Sequence, residues 1–302
     1  MNKNQLTEKK IVLGLPKGSL QESTFAMFEK AGYKIRSTER SYFPSIDDPE
    51  VEIILLRAQE IPMYVEDGVL DLGITGYDWI QETGSNVVEI AELVYAKQGL
   101  RPVKWVLAVP NDSLIKSAKD LQGKRIATEV VNITKSYLKK NRVNAKVEFS
   151  WGATEAKTPR LVDAIIEITE TGTSLKAHNL RIVDIVMEST TRLIANKESW
   201  KDPFKKKKAE EMLMLLKGAL AAETKVGLMM NVKKKDLDTV IKVLPALQNP
   251  TVSELSNKEW CDVITIVDKN KIKDLIPKLK QAGASGIVEF PLNEIRNSCG
   301  SL

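Results

Sequence analysis

Residues 10–15, KIVLGL, carry an apolar run that stops at Pro16, as expected of a short buried strand. The period then changes. In SLQESTFAMFEKAGY, Leu20, Phe25, Met27, Phe28 and Ala31 recur at helical spacing, and Gly32 supplies the stop. VEIILLRA predicts a second strand, QEIPMYVEDGV a helix of one or two turns, and DLGITG a short strand entering a glycine turn. Strand and helix alternate, which predicts an α/β layer with a largely parallel sheet.

KWVLAVPND begins a second unit of the same kind. Strands are expected at KRIATE and AKVEFSW, and helices at NITKSYLKKNR and LVDAIIEIT. NLRIVDIVMES returns as a strand, and a long helix covers about 203–224. A chain that goes out to a second α/β lobe and comes back predicts two lobes around a cleft, a usual place for ligands. From about 225 the character changes. KVGLMMNV, KDLDTVIKVLPAL, TVSELS, WCDVITIV, NKIKDLIPKLKQAG and GIVEF read as βαββαβ, the ferredoxin-like order. The expected organisation is residues 1–104 with 191–224 as lobe I, 105–190 as lobe II, and 225–302 as a third domain.

Composition narrows the chemistry. The chain has 302 residues, 43% hydrophobic and 28% charged, within the range of soluble proteins. Its net charge of +5 is dispersed, which speaks against nucleic acid as a partner and suits small polyanions. The run Lys205–Lys208 is balanced by Glu210 and Glu211 and reads as a solvated helix face. Two cysteines, Cys261 and Cys299, give no disulfide framework and no thiolate metal site. His178 is the only histidine, so any site with two histidine ligands is excluded. The N-terminus has no signal-peptide core, and no apolar run approaches the roughly 18 residues of a membrane helix, so a cytoplasmic protein without a membrane partner is expected.

Three stretches carry candidate chemistry. In EITETGTSLKAHNL, Thr171, Gly172, Thr173 and Ser174 offer successive backbone N–H groups, hydroxyls and one residue free to take positive φ. With a helix starting at SLKAHNL they would form a phosphate cradle; the competing reading is a Ser/Thr helix cap. Glu167 and Glu170 flank it, useful if they meet sugar hydroxyls or a Mg²⁺ ion, which a ribose phosphate would satisfy. In GLPKGSL, Lys17, Gly18 and Ser19 end a strand just before a helix, and again suit phosphate or pyrophosphate; a capped helix beside a solvated lysine is the alternative. Arg57 closes the strand IILL, where ligand contacts collect in open α/β sheets. In DGVLDLGITGYDWI, Asp78 stands between Tyr77 and Trp79 and is a candidate for a nucleoside hydroxyl. No GxxxxGK[ST] and no GxGxxG after a strand occurs.

LPKGSL, RAQEIPMYVEDGVLDLGITGYD, KRIATEVVNITKSYL and DAIIEITETGTSLKAHNL, in that order, resemble the landmark segments of the ATP phosphoribosyltransferase family. NPTVSELSNKEWCDVITIV and LKQAGASGIVEFPLNEI resemble the regulatory domain of its long form. The resemblance implies a periplasmic-binding-protein-like two-lobed catalytic core with a ferredoxin-like, ACT-like third domain. It implies that ATP and Mg²⁺-bound phosphoribosyl pyrophosphate give phosphoribosyl-ATP and pyrophosphate, the first step of histidine biosynthesis. It also implies feedback inhibition by histidine and a homo-oligomer, dimer and hexamer. By that resemblance Glu167, Glu170 and Thr171–Ser174 bind phosphoribosyl pyrophosphate and Lys17 and Arg57 serve catalysis. Gly18, Ser19 and Asp78 meet nucleotide, and Thr251, Ser253, Leu255 and Gly286 form the histidine pocket. Magnesium is expected on the substrate phosphates, with Glu167 as a candidate ligand. The chain departs from the family at His178-Asn179, at AKQGLRPVKWV and at Glu254, where a proline is frequent.

Two rival readings remain at this level. Type I phosphoribosyltransferases share a strand, two acids and Thr-Gly-Thr, but their acids are adjacent. Solute-binding proteins and regulator effector domains share the two lobes, but the chain has neither a signal peptide nor a helix-turn-helix.

Overall fold

A computed structural model describes residues 9–38, 41–96, 100–245 and 249–295. Residues 9–26 with 33–211 make one compact unit, and residues 27–32 with 212–295 a second.

The first unit opens with β1 (Ile11–Lys17) and α1 (Gln21–Lys30). There follow a short pair, β2 (Ile35–Arg36) and β3 (Ser45–Ile46), then β4 (Val51–Arg57), α2 (Ile61–Glu66), β5 (Leu72–Gly76), α3 (Tyr77–Thr83) and β6 (Val88–Leu93). The chain then builds β7 (Val103–Pro110), β8 (Arg125–Thr128), α4 (Val131–Asn141), β9 (Lys146–Phe149), β10 (Ala164–Thr169), α5 (Thr173–Ala177) and β11 (Leu180–Ser189). It returns through β12 (Thr191–Ala195) and the first part of α6 (Pro203–Glu223), whose residues from 212 belong to the second unit.

Two five-stranded sheets result. Sheet I has the order β4-β1-β5-β12-β6 and sheet II the order β11-β7-β10-β8-β9. The unit is thus α/β and two-lobed, the class expected from the alternation of elements. The sheets are less parallel than expected. β4, β1 and β5 run parallel, but β12 is antiparallel to both β5 and β6. In sheet II, β10-β8-β9 are parallel and β7 opposes both β10 and β11. β12 escaped the sequence pattern because only Thr190 separates it from β11, so the two strands read as one run.

The segment LVDAIIEIT is a strand where a helix was expected. Its core, Ala164–Thr169, lies between β7 and β8. Ala164 and Ile166 pack into one apolar cluster with Trp105 and Leu107, while Ile165 packs into another with Val106 and Ala108. A strand covered on both faces shows an unbroken apolar run, which periodicity alone does not separate from a buried helix.

The second unit carries β13 (Lys225–Lys233), α7 (Leu237–Val243), β14 (Thr251–Glu254), β15 (Trp260–Asp268), α8 (Ile272–Gln281) and β16 (Ala284–Pro291). The order β14-β15-β13-β16, antiparallel throughout, is the ferredoxin-like arrangement that βαββαβ predicts. Leu228, Met230, Val263, Leu275 and Leu279 fill its core. Among the described residues no helix is long and apolar enough to cross a membrane.

Candidate active site

A cleft of about 520 Å³ lies within the first unit, walled by strand ends from both sheets. β1 contributes Pro16 and Lys17, β4 Arg57, and β5 Gly76. From sheet II come Glu129, one residue past β8, and Ile168–Thr171 with Thr173 and Ser174 at the end of β10. These are the carboxyl ends of parallel strands, where the unpaired N–H groups and loops of open α/β sheets gather ligands.

Lys17 and Arg57 are register partners on β1 and β4, so two cations stand side by side on one wall. Gly18 makes room for the second: at φ +110°, a Cβ there would sit 3.1 Å from an Arg57 guanidinium nitrogen. Lys17 Nζ lies 3.9 Å from the Tyr42 ring centroid and donates to the Ser41 carbonyl at 3.4 Å. Ser19 also lines the cleft, next to Lys17.

On the facing wall, Gly172 takes φ +76°, ψ 4°, and its N–H donates to Thr169 Oγ1 at 2.7 Å. That turn presents Thr171 and Thr173, whose hydroxyls share a 2.9 Å hydrogen bond, and Ser174, which donates to Glu155 Oε1 at 2.7 Å. The residue before α5 is the glycine itself, and the hydrogen bonds of these hydroxyls run to each other and to Glu155, so among the described residues none caps a backbone N–H of the turn. The expected helix at SLKAHNL is a single turn, Thr173–Ala177, and adds little dipole. The anion-binding capacity of the loop therefore rests on its hydroxyls and on the first N–H groups of that turn, which lack intrahelical acceptors.

Glu170 lines the cleft; Glu167 is not among the lining residues. Its carboxyl is pushed up to about 7, first by burial and then by Glu155 and Glu129, against hydrogen bonds from Thr154 and the Ile168 N–H. His178 is exposed and its Nδ1 lies 2.9 Å from the Ser174 carbonyl, with no place in the cleft.

Asp78 sits at the floor, 2% exposed. Trp105 Nε1–H donates to its Oδ2 at 2.7 Å and Ser189 Oγ–H to its Oδ1 at 2.9 Å, so both oxygens are engaged. Burial pushes its carboxyl above the usual carboxylate range, opposed by those bonds. Gly76 permits this: a Cβ there would fall 2.0 Å from Asp78 Oδ1. Trp79 stands edge-on to Trp105 at 5.9 Å.

Sequence reasoning missed Gln59, Arg101, Trp105 and Glu129 as cleft residues, and read Trp79 as core although it lines the cleft. The segment KRIATE gave the strand before Glu129, and a polar residue just past a parallel strand was the available signal. Arg101 lies in a connection whose partners no short-range pattern reveals.

In the second unit, Thr251 and Ser253 lie on β14, paired with Ile264 and Asp262, and the Leu255 N–H donates to the Trp260 carbonyl at 3.3 Å. Gly286 lies on β16, at the opposite edge of the four-stranded sheet. Three strand spacings, about 14 Å, separate the two edges, so one chain does not bring these four residues together. Glu254 pairs with Lys234 at 2.5 Å.

A sequence model of the ATP phosphoribosyltransferase family matches residues 57–218, and one of the HisG C-terminal domain matches residues 222–294. The ATP phosphoribosyltransferase of Thermodesulfovibrio yellowstonii is 58% identical over 96% of this chain and 99% of its own. That of Solibacter usitatus is 58% identical over 94% and 98%. Among solved structures, the ATP phosphoribosyl transferase (HisG:HisZ) complex from Thermotoga maritima superposes with a TM-score of 0.58 at 26% identity, over 68% of this chain and 98% of that one.

Proposed function

This chain belongs to the ATP phosphoribosyltransferase family, enzymes of the first step of histidine biosynthesis, and from that premise we propose how its cleft carries out the transfer. The loop Thr171–Ser174 grips the 5-phosphate of phosphoribosyl pyrophosphate. The pyrophosphate lies toward Lys17 and Arg57 on the facing wall. ATP enters with its phosphates toward Gly18 and Ser19, and its adenine reaches the anomeric carbon between the two walls.

The bond to the leaving group breaks with its electron pair going to pyrophosphate, so positive charge grows on the ribose and negative charge on the leaving oxygens. Two adjacent cations meet the second charge where it develops. The attacking ring nitrogen carries no proton, so no general base is needed to start the reaction, in keeping with a chain whose single histidine lies outside the cleft. The remaining work is positioning two polyanions. Among the described residues no group of three or more His, Cys, Asp or Glu side chains poised to hold a metal ion occurs. Magnesium, when bound, would be held chiefly by the substrate phosphates and would neutralise their charge, as suits an ion that keeps most of its ligands from water and phosphate. Glu170, which lines the cleft, is better placed toward the ribose hydroxyls than Glu167.

The observation that carries this reading is the pairing, across one cleft, of the Gly172 turn with the Lys17–Arg57 pair. It is tested by following pyrophosphate release from phosphoribosyl pyrophosphate. Release that requires ATP supports the assignment; release independent of ATP, or none, refutes it.

Histidine feedback belongs to the second unit in this reading. Thr251, Ser253 and Leu255 on one sheet edge and Gly286 on the other can share a pocket only if edges of two copies meet, which ties the effector to a homo-oligomer. Loss of histidine inhibition in a Thr251→Ala enzyme that keeps its uninhibited rate tests this; unchanged inhibition counts against it.

A further inference from the structure

Three carboxylates line the cleft: Asp78, Glu129 and Glu170. They differ in what already holds them. Both oxygens of Asp78 accept hydrogen bonds from Trp105 and Ser189. Glu170 leads directly into the phosphate loop and has interactions of its own. Glu129 is half-buried and accepts no hydrogen bond among the described residues; the Lys157 charge favours its ionised form, but Lys157 donates to Ser150, and the Glu167 carboxyl lies within reach of the Glu129 charge. Burial raises its affinity for a proton above that of an ordinary glutamate.

The backbone around Glu129 is fixed. The Val130 N–H donates to Thr128 Oγ1 at 3.1 Å, on a threonine with no exposure. The next turn, the start of α4, is capped by Glu82, whose carboxylate accepts the Asn132 and Ile133 N–H groups at 3.0 Å. A partly desolvated carboxylate on a fixed backbone, with no protein donor of its own, is an acceptor open to a donor on the substrate.

The proposed reaction supplies a donor that strengthens as the chemistry proceeds. This step rests on the reading given above. When the adenine ring nitrogen beside the amino-bearing carbon gives its lone pair to the anomeric carbon as the new N–C bond, the carbon–oxygen bond breaks and pyrophosphate leaves with the pair of that broken bond. The ring then carries one positive charge, shared between the new N–C bond and the 6-amino nitrogen. An amino hydrogen on that cation is a strong donor. We propose that Glu129 is a further catalytic residue whose carboxylate accepts this 6-amino hydrogen, stabilises the charge on the ring, and favours a 6-aminopurine over a 6-oxopurine nucleotide. If the proton transfers completely, the ring becomes the neutral 6-imino form and Glu129 the neutral acid, with no outside co-reactant. A 6-oxo group presents a lone pair to the carboxylate and is repelled, which is how a fixed acceptor discriminates.

The test uses the full chain, the isosteric Glu129→Gln variant and two nucleotides: ATP, and purine riboside triphosphate, which lacks the 6-amino group. With ATP, kcat/KM of the variant is expected to fall about 10²-fold, the lower end of the scale for one charge-stabilising contact in a transition state. With the analogue, variant and wild type are expected to agree within about threefold, and KM for phosphoribosyl pyrophosphate to stay unchanged. Dissociation constants for the two nucleotides give the same comparison where the analogue turns over slowly: Glu129→Gln weakens ATP and leaves the analogue alone. Equal losses on both nucleotides would move Glu129 to the ribose, and no loss on ATP would remove it from the reaction; either overturns the proposal. Wild-type turnover of ATP tests the reaction itself, so the two failures are distinguishable.

Discussion

The indole N–H of Trp105 donates to Oδ2 of Asp78 at 2.7 Å, which ties the helix leaving β5 of sheet I to β7 of sheet II. Ser189, the last residue of β11, completes the tie: its hydroxyl donates to Asp78 Oδ1 and accepts the Asp78 N–H at 3.0 Å. The floor of the cleft is therefore a buried latch between its walls. Asp78→Ala leaves two buried donors unpaired and is expected to cost about 2–4 kcal/mol of stability in urea unfolding. Asp78→Asn should cost less, about 1 kcal/mol, because its oxygen still accepts from Trp105 and its amide can donate to Ser189 Oγ. Equal stability of the alanine variant and the wild type would contradict the latch.

Tyr42 holds Lys17 at the cleft mouth, with the ammonium 3.9 Å from the ring centroid. An exposed cation–π contact is worth about 0.5–1 kcal/mol, or roughly two- to fivefold. Tyr42→Leu is expected to raise KM for phosphoribosyl pyrophosphate by that factor with kcat nearly unchanged, and Tyr42→Phe to behave as wild type. Steady-state kinetics on the pair of variants decides it; a similar defect in both would point to the hydroxyl instead of the ring.

Glu167 gives a pH signature. Its carboxyl is raised from 4.5 to about 7 in the folded chain. Between those values the unfolded chain releases the proton while the folded chain keeps it, so this group's stabilisation, complete below about 4.5, is lost as pH rises toward 7. The loss is about 3 kcal/mol. Glu167→Gln should flatten the stability profile between pH 4.5 and 7, read from urea midpoints. A variant whose profile parallels wild type would show that Glu167 is already ionised at acid pH.

The sequence made the framework legible where one period dominated: IVLGL, VEIILLRA and the amphipathic segments of the last domain became the elements expected of them. It misled where burial erased the period, at LVDAIIEIT, and where two strands abutted, at Ser189–Thr191. Local chemistry was similarly readable. Lys17, Arg57 and the Thr-Gly-Thr turn do face one cleft. Asp78 was singled out by its neighbours Tyr77 and Trp79, but its partners, Trp105 and Ser189, lie 27 and 111 positions away. Glu129 was open to the strand-end signal in KRIATE, whereas Arg101 reaches the cleft through tertiary placement alone.

Arg57 is exposed in the resting cleft and forms no ion pair with the described residues, so its removal should leave the fold intact. Arg57→Ala is expected to lower kcat by about 10²–10³-fold, the loss typical of one group that meets charge developing in the transition state. Arg57→Lys should restore part of it. Near-normal turnover of Arg57→Ala, measured by pyrophosphate release, would assign leaving-group stabilisation to Lys17 and Arg101.

The central claim is that the Gly172 turn binds the sugar phosphate. Titrating phosphoribosyl pyrophosphate into wild type and Gly172→Val by calorimetry tests it most directly. Gly172 holds φ +76°, and a β-branched residue there is strained by about 1–3 kcal/mol, enough to move the loop. The variant, folded by circular dichroism, is expected to bind the sugar at least about tenfold more weakly while its affinity for ATP is kept. Unchanged affinity for the sugar in a folded variant would contradict the account.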